Sequence, residues 1–509
     1  MEAGEISPEI LQRDSVQRSE EWRTYLLFIV FALFLTALIA PYRSIHLPQT
    51  ILFLLGVAFL LMCMKFSIEE YERLMLLFCV FAPFQKVLPG DFNEFLQGFN
   101  VTNIFAFFLL LGWAIQTLRF EKNFYRRRAI DIPLAVFCLL GVVSLFRREL
   151  YSGEQTMIDS LFYLKEWLLP MIIYYIVVNN LRDRKTLVRL IVSVCITTTL
   201  VGLLGLKRFY MDKGAWSHPH FSSYDKARIG VICGQPNQLG AFFCYYSFLP
   251  LAFLAMRWRK PVYWSLLIPF FVCWRTTWLT FSRGSQIAFG GALMIFILMW
   301  SRKVFFFVWV PIVLFFIFCP HLIPGILVGR MANTVQSDGT LDDSSQSRLA
   351  VWKYAIVMIK ANLLFGVGYG NFQLHISDYG LPPSVRGIDA HNTYLLYAAE
   401  MGTPAALLFI LVLFMCFWKA LYTLIWSKDN FFRATSLGFL AGLMGLIIAN
   451  MFGSRLNSNE VVFQFWIIVA VIMRMAESTR VEKAERIELA DQEHKRKLAQ
   501  MASVAPLPE

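Results

Sequence analysis

Uninterrupted apolar runs of bilayer length decide what this chain can fold into. About twenty apolar residues cross a hydrocarbon core as one helix. Runs of that kind recur near 24–41, 50–65, 74–88, 102–118, 131–146, 161–178, 187–206, 237–256, 262–281, 285–300, 304–324, 393–422, 434–452 and 460–474. The expected fold is therefore an all-α polytopic membrane protein of roughly 12–14 transmembrane helices. Composition agrees: 57% of residues are hydrophobic and 16% charged, against about 25% charged in soluble chains. Soluble and disordered classes are excluded.

The formal net charge of +12 points to orientation rather than to nucleic acid. Lys and Arg gather in alternate connections between runs: Arg119, Lys122 and Arg126 to Arg128; Arg182, Arg184 and Lys185; Arg257, Arg259 and Lys260; Arg302 and Lys303. With the positive connections inside, both termini are expected to be cytoplasmic. The run Tyr25–Ala40 is followed by no A-x-A cleavage site, so the first span is expected to stay. The nine cysteines form no C-x-x-C pair, and neither disulfides nor zinc are expected. Residues 1–475 read as a transmembrane domain. Residues 476–509 read as a charged cytoplasmic tail, helical through the i,i+4 pairs Glu482 with Arg486 and Asp491 with Lys495.

In this orientation two long polar stretches face outward, 207–236 and 325–392. The second carries Arg348, Leu349, Trp352, Ile356 and Ile359 at helical spacing, which predicts an amphipathic helix on the membrane surface. No nucleotide, metalloprotease or nucleophile-elbow motif is present. Gly366, Gly368 and Gly370 follow no strand and read as a turn that brings backbone close to a neighbour. No metal or cofactor is expected.

Chemistry is left to cations and one imidazole on a single side. Arg228, Arg283 and Arg348 lie beside spans on the outward face, and an arginine fork matches phosphate oxygens bidentately. His391 lies where the large loop re-enters the membrane, and a neutral imidazole there can accept a proton from a hydroxyl. Asn392 and Asp389 are close enough to orient it. Gly402, eleven residues on, falls on the same face of a continuous helix and would permit close helix packing beneath the histidine. Arg275 inside the ninth span and Glu400 after His391 are candidates because charges at membrane depth are functional suspects.

Four stretches in order carry a resemblance: RIGVICGQPN (228–237), SRGS (282–285), RLAVWKYAIVMIKANLLFGVGYG (348–370) and HNTYLLYAAEMG (391–402). Together with the large loop just before the His-Asn pair, they resemble the O-antigen ligase and O-antigen or exopolysaccharide polymerase superfamily of envelope glycosyltransferases. The likeness covers about 190–455. It implies a fold like that of the C-type glycosyltransferases and a glycan transferred from undecaprenyl pyrophosphate to an acceptor hydroxyl. The implied reaction is an inverting, metal-independent displacement at the periplasmic face. His391 would be the general base; Arg283, Arg348 and Arg228 would hold the pyrophosphate; Asn392, Gly402, Arg275 and Glu400 would support them. The implied partners are the lipid-linked donor, an acceptor glycan (lipid A core or growing polysaccharide) and membrane lipid. Ala405 stands three places past Gly402, where ligases often carry Gly or Thr, so ligase and polymerase both stay open. Two alternatives are a transporter or flippase of lipid-linked glycan, suggested by Arg275, and a protein O-oligosaccharyltransferase of the same superfamily.

Overall fold

The computed structural model describes residues 49–85, 101–119, 125–151, 157–181, 183–211, 229–318, 343–380 and 389–504. The expected span at 24–41 and the candidate Arg228 lie outside these. Backbone contacts divide the chain into Met1–Met62 and Cys63–Glu509. The first unit contributes only the start of helix α1 (Gln49–Ile68) to the described residues.

The helices that follow are α2 (Tyr71–Phe81), α3 (Val101–Arg119), α4 (Asp131–Tyr151), α5 (Met157–Asn180), α6 (Arg184–Tyr210), α7 (Pro236–Tyr246), α8 (Phe248–Arg257) and α9 (Leu267–Leu279). After them come α10 (Arg283–Trp300), α11 (Arg302–Phe318), α12 (Asp343–Ala361), α13 (Phe372–His375), α14 (Thr393–Met401), α15 (Thr403–Trp426), α16 (Asn430–Met451) and α17 (Asn459–Val504). No strand occurs among the described residues. Eight stretches there are long and apolar enough to cross a membrane: Thr102–Arg119, Leu161–Asn180, Arg184–Tyr210, Pro236–Arg257, Arg283–Trp300, Thr403–Trp426, Asn430–Met451 and Asn459–Lys497. The protein is an all-α polytopic membrane protein.

Helix α16 is the central post. Gly438, Gly442 and Gly445 recur at i, i+4 and i+7, so they share one face. A Cβ on Gly438 would come within 2.8 Å of the Leu249 Cα, and one on Gly445 within 2.6 Å of the Cys244 carbonyl oxygen. Without side chains on that face the backbones of α7, α8 and α16 meet directly, which dispersion rewards in lipid. The other side of α16 meets α10, where Gly284 brings the first turn of α10 against Phe452: a Cβ there would lie 2.9 Å from the Phe452 Cβ. The N-terminus of α10 and the C-terminus of α16 therefore share one end of the bundle.

Three expected runs are interrupted, each by local chemistry. The run at 237–256 is two helices meeting at Ser247, whose hydroxyl bonds back to the Phe243 carbonyl (2.6 Å) and competes with the ladder. The run at 262–281 starts as a 3-10 stretch, Pro261–Leu266, with Pro261 at its first position, where its missing N–H costs no bond. The run at 393–422 breaks at Gly402, with φ +90°.

Helix α12 buries Val351, Ala355 and Met358 against Val367, Phe372, Ile376, Ala390, Leu396 and Ala399. This corrects the sequence reading of its apolar stripe. Leu349 and Ile356 are 50% and 44% exposed, since a helix bordered by lipid can present apolar side chains outward as well as inward. Leu363, Leu364 and Phe365 continue that outward surface.

Helix α17 runs 46 residues without interruption. The final span and the charged tail are one element, and Lys495 pairs with Asp491 across one turn (2.7 Å). The expected Glu482–Arg486 pair is replaced: Arg486 donates to the carbonyl oxygens of Glu482 (3.1 Å) and of Trp426 on α15 (3.1 Å).

Candidate functional site

Three non-glycine residues among those described hold a left-handed backbone: Val231 (φ +36°), Phe281 (φ +52°) and His391 (φ +49°). Each costs on the order of 1–3 kcal/mol and persists only where its surroundings enforce it. Val231 and His391 lie in the resemblance stretches, and Phe281 directly precedes SRGS.

His391 stands one residue outside a helix. Asn392 is the N-cap of α14, its Oδ1 accepting from the backbone N–H groups of Tyr394 (3.0 Å) and Leu395 (3.1 Å). Such a cap contributes about 1 kcal/mol and turns the chain so sharply that His391 takes the left-handed position. Asn392 therefore fixes the backbone beside the imidazole rather than the ring itself. The three-turn relation expected between His391 and Gly402 does not hold, because His391 precedes α14 and Gly402 ends it. Gly402 serves another contact: a Cβ there would collide with the Leu364 carbonyl.

Side chains from three other elements grip this turn. Trp352 of α12 donates its Nε1–H to the Ala390 carbonyl (3.0 Å). Thr393 donates its hydroxyl to Asn450 Oδ1 at the end of α16 (2.7 Å). Ser454 donates to Asp389 Oδ1 (2.9 Å). Asn450, fully buried, also accepts from the backbone N–H of Arg455 (3.1 Å) and donates to the Tyr245 hydroxyl of α7 (2.8 Å). One amide thus binds α7, α14 and the turn after α16. In that turn Arg455 is 8% exposed, and its Nη2 donates to the Phe452 carbonyl (3.3 Å). Its guanidinium lies so close over Gly453 that a Cβ there would strike it.

The His391 imidazole is half-buried. Its Nδ1 has no hydrogen-bond partner and sits 3.8 Å from Asp389 Oδ2, beyond bonding reach. Burial pushes its pKa below the usual histidine range; the Asp389 carboxylate opposes this, and the Arg348 and Arg455 guanidinium groups add to it. The ring is kept neutral, with two guanidinium groups in its field and a carboxylate beside Nδ1. Such a group can take a proton while anionic oxygens sit close by.

Of the residues nominated from the sequence, Arg348, Asn392 and His391 are brought together. Arg283 opens α10 next to the Gly284–Phe452 contact, at the same end of the bundle. Others are elsewhere. Glu400 is at the far end of α14, where Oε1 accepts from the Phe372 N–H (3.1 Å) and its carbonyl from Gly368 (2.9 Å) and Ser144 (2.7 Å). It fastens the glycine turn, as Gly366, Gly368 and Gly370 all have positive φ and this turn lies against the end of α14. Arg275 is exposed and donates to the Tyr210 hydroxyl (2.7 Å), so it is neither a buried charge nor a part of this site. Among the described residues no group of three His, Cys, Asp or Glu side chains is placed to hold a metal ion.

Arg455 was missed, although GSR (453–455) nearly mirrors the SRG (282–284) around Arg283. A guanidinium beside glycine and serine at a span end is the shared signature.

Residues 268–410 match the family model described as O-antigen ligase. Over that segment, a little over a quarter of its length, the chain is similar to the O-antigen ligase family. No curated protein matches it. The matched segment includes Arg283, Arg348 and His391, while Arg455 lies beyond it. That likeness supports glycan transfer of the ligase or polymerase type in a membrane, with lipid-linked and acceptor glycans as the substrate class.

Proposed function

We propose that this protein transfers a glycan from undecaprenyl pyrophosphate to an acceptor hydroxyl at the periplasmic face of an inner membrane, by metal-independent inverting displacement. The observation that carries this reading is His391 in a strained, half-buried turn, its backbone left-handed and its imidazole near the Arg348 and Arg455 guanidinium groups. His391 removes the proton from the acceptor hydroxyl as that oxygen bonds to the anomeric carbon. The bond from that carbon to the pyrophosphate oxygen breaks, and the lipid diphosphate leaves with the electron pair. Pyrophosphate is already a good leaving group, so positioning and charge neutralisation do most of the work. Arg348 and Arg455 supply that neutralisation, with Arg283 from α10 and Arg228 as further phosphate contacts. The positive-inside pattern supports cytoplasmic termini.

The transporter alternative drew on a charge buried in the ninth span and on the number of spans. Arg275 is exposed and held by Tyr210, so the charge no longer favours it.

The test supplies purified protein with a lipid-pyrophosphate oligosaccharide and candidate acceptors, with and without a chelator. Elongated product is expected in both, and none from His391→Ala. Product from that variant at the parent rate removes His391 from the mechanism. Loss of product on chelation overturns the metal-independent step.

A further inference from the structure

A second site lies at the other end of α16. Between α6, α8, α9 and the start of α16 is a cavity of about 570 Å³, a volume typical of sites for small organic ligands. Its walls are hydrocarbon for most of their length, including Val192, Ile196 and Leu200 of α6 and Phe253 of α8. At one end it is bounded by Arg184 and Arg257. From Arg184 to Leu200 the groove follows α6 for sixteen residues, about 24 Å. One leaflet of a bilayer, half of a total thickness of about 40–45 Å, is nearly as deep.

The charged end lies at headgroup level. Trp258 and Trp264, each 53% exposed, flank Arg257 and are tied by a bond from the Trp264 indole to the Trp258 carbonyl (2.9 Å). Exposed tryptophans of this kind mark the membrane interface. Arg257 lies over the Tyr263 ring (5.7 Å), which fixes its direction. Lys185, Arg259, Lys260 and Lys428 adjoin the same end in sequence. The nearby carboxylates are occupied: Asp183 caps α6 through the Thr186 N–H (3.2 Å), and Asp429 receives Arg184 (Nη2 to Oδ1, 3.1 Å) and caps α16. The surplus is cationic.

We propose that this groove binds one anionic glycerophospholipid, its tails lying along α6 and its phosphate on Arg257 with Arg184 alongside. The cationic rim selects the head, the hydrocarbon walls take the tails, and the length matches a single leaflet. The site is separate from His391 and requires no assumption about which face either end occupies.

Full-length protein, delipidated in neutral detergent, is titrated with phosphatidylglycerol or phosphatidylcholine, and bound lipid is counted by native mass spectrometry. Phosphatidylglycerol is expected to bind in preference. Arg257→Gln should weaken that binding about tenfold, the loss of one charge-assisted contact, and Thr199→Trp should weaken both lipids by filling the groove. Arg302→Gln, an exposed cation near the same bundle end but outside the groove, should change nothing. Equal binding of the two lipids, or unchanged phosphatidylglycerol binding in Arg257→Gln, overturns the proposal. Displacement of phosphatidylglycerol by an equimolar polyprenyl phosphate overturns the assignment to a two-tailed lipid.

Discussion

Two regions of this protein use the same residue types and end in opposite states. In one, Asp131 at the start of α4 is 2% exposed and fully engaged. Its Oδ1 accepts from the Tyr174 hydroxyl (2.8 Å), and Oδ2 from the Tyr125 hydroxyl (2.7 Å) and the Arg128 N–H (2.8 Å). Arg128 spreads its guanidinium over Asn179 Oδ1 (3.1 Å), the Val178 carbonyl (3.1 Å) and Glu477 of α17 (2.8 Å). In the other, the His391 Nδ1 has no bonded partner, its backbone is left-handed, and its nearest carboxylate stands 3.8 Å off. A buried network of this kind is a clasp, because its carboxylate oxygens and its guanidinium are matched by internal hydrogen bonds and an ion pair. A strained imidazole short of a partner is arranged for something that arrives later.

The sharpest way to break this contrast is to remove each centre. His391→Ala should cut glycan transfer by roughly 10²–10⁴-fold, the range for a lost general base, and leave the thermal midpoint near the parent's. Asp131→Ala should instead destabilise the fold by about 3–5 kcal/mol, as when a buried charge network loses one partner, and keep the specific activity of the surviving folded enzyme. Thermal unfolding in detergent beside a transfer assay reads both, and the opposite pairing would erase the distinction. Arg455→Gln should lower transfer about 10–100-fold, from charge-assisted bonds worth about 1.5–3 kcal/mol, with little change in midpoint. Asn450→Ala leaves the Thr393 hydroxyl and the Arg455 N–H with only the Gly453 carbonyl (3.2 and 3.0 Å) to accept from them and should cost about 0.5–1.5 kcal/mol for each bond lost, so it should show in both readings.

The smallest effect is on pH. His391 works as a base only when unprotonated, and its pKa lies below the usual range through burial, with Arg348 and Arg455 lowering it further and Asp389 raising it. Removing either arginine's charge should raise that pKa and move the acid limb of the rate profile to higher pH. Asp389→Asn should move it lower. A limb that stays in place in all three variants would detach the ring from these charges.

The fold class was legible because hydrocarbon imposes its length on a sequence: a span must be apolar for about twenty residues. The breaks were less visible. The break at Gly402 had a signal in the sequence, since Pro404 follows in the first turn of the next helix and Gly then Pro ends a helix, but the close approach of the Leu364 backbone that needs the glycine did not. The His391 turn could be read in part, since His-Asn before an apolar run is a cap signal. The partners of that turn could not, because Asn450 and Ser454 are some sixty residues away and reach it only by packing. Arg455 was within reach, because the Gly-Ser setting that singled out Arg283 is repeated around it. Arg275 misled for a physical reason: position along an apolar run does not tell which way a long side chain turns, and this one meets Tyr210 on the outside.

Helix α17 begins four residues after Arg455 and contains neither proline nor glycine over its 46 residues, so it behaves as a stiff shaft about 69 Å long. Its middle is fastened by Glu477 to Arg128 and by Arg486 to the Trp426 carbonyl, so a shift of its first turn must pass through those fastenings to reach the charged tip. A spin label near Gln492 would therefore report whether those fastenings hold or loosen.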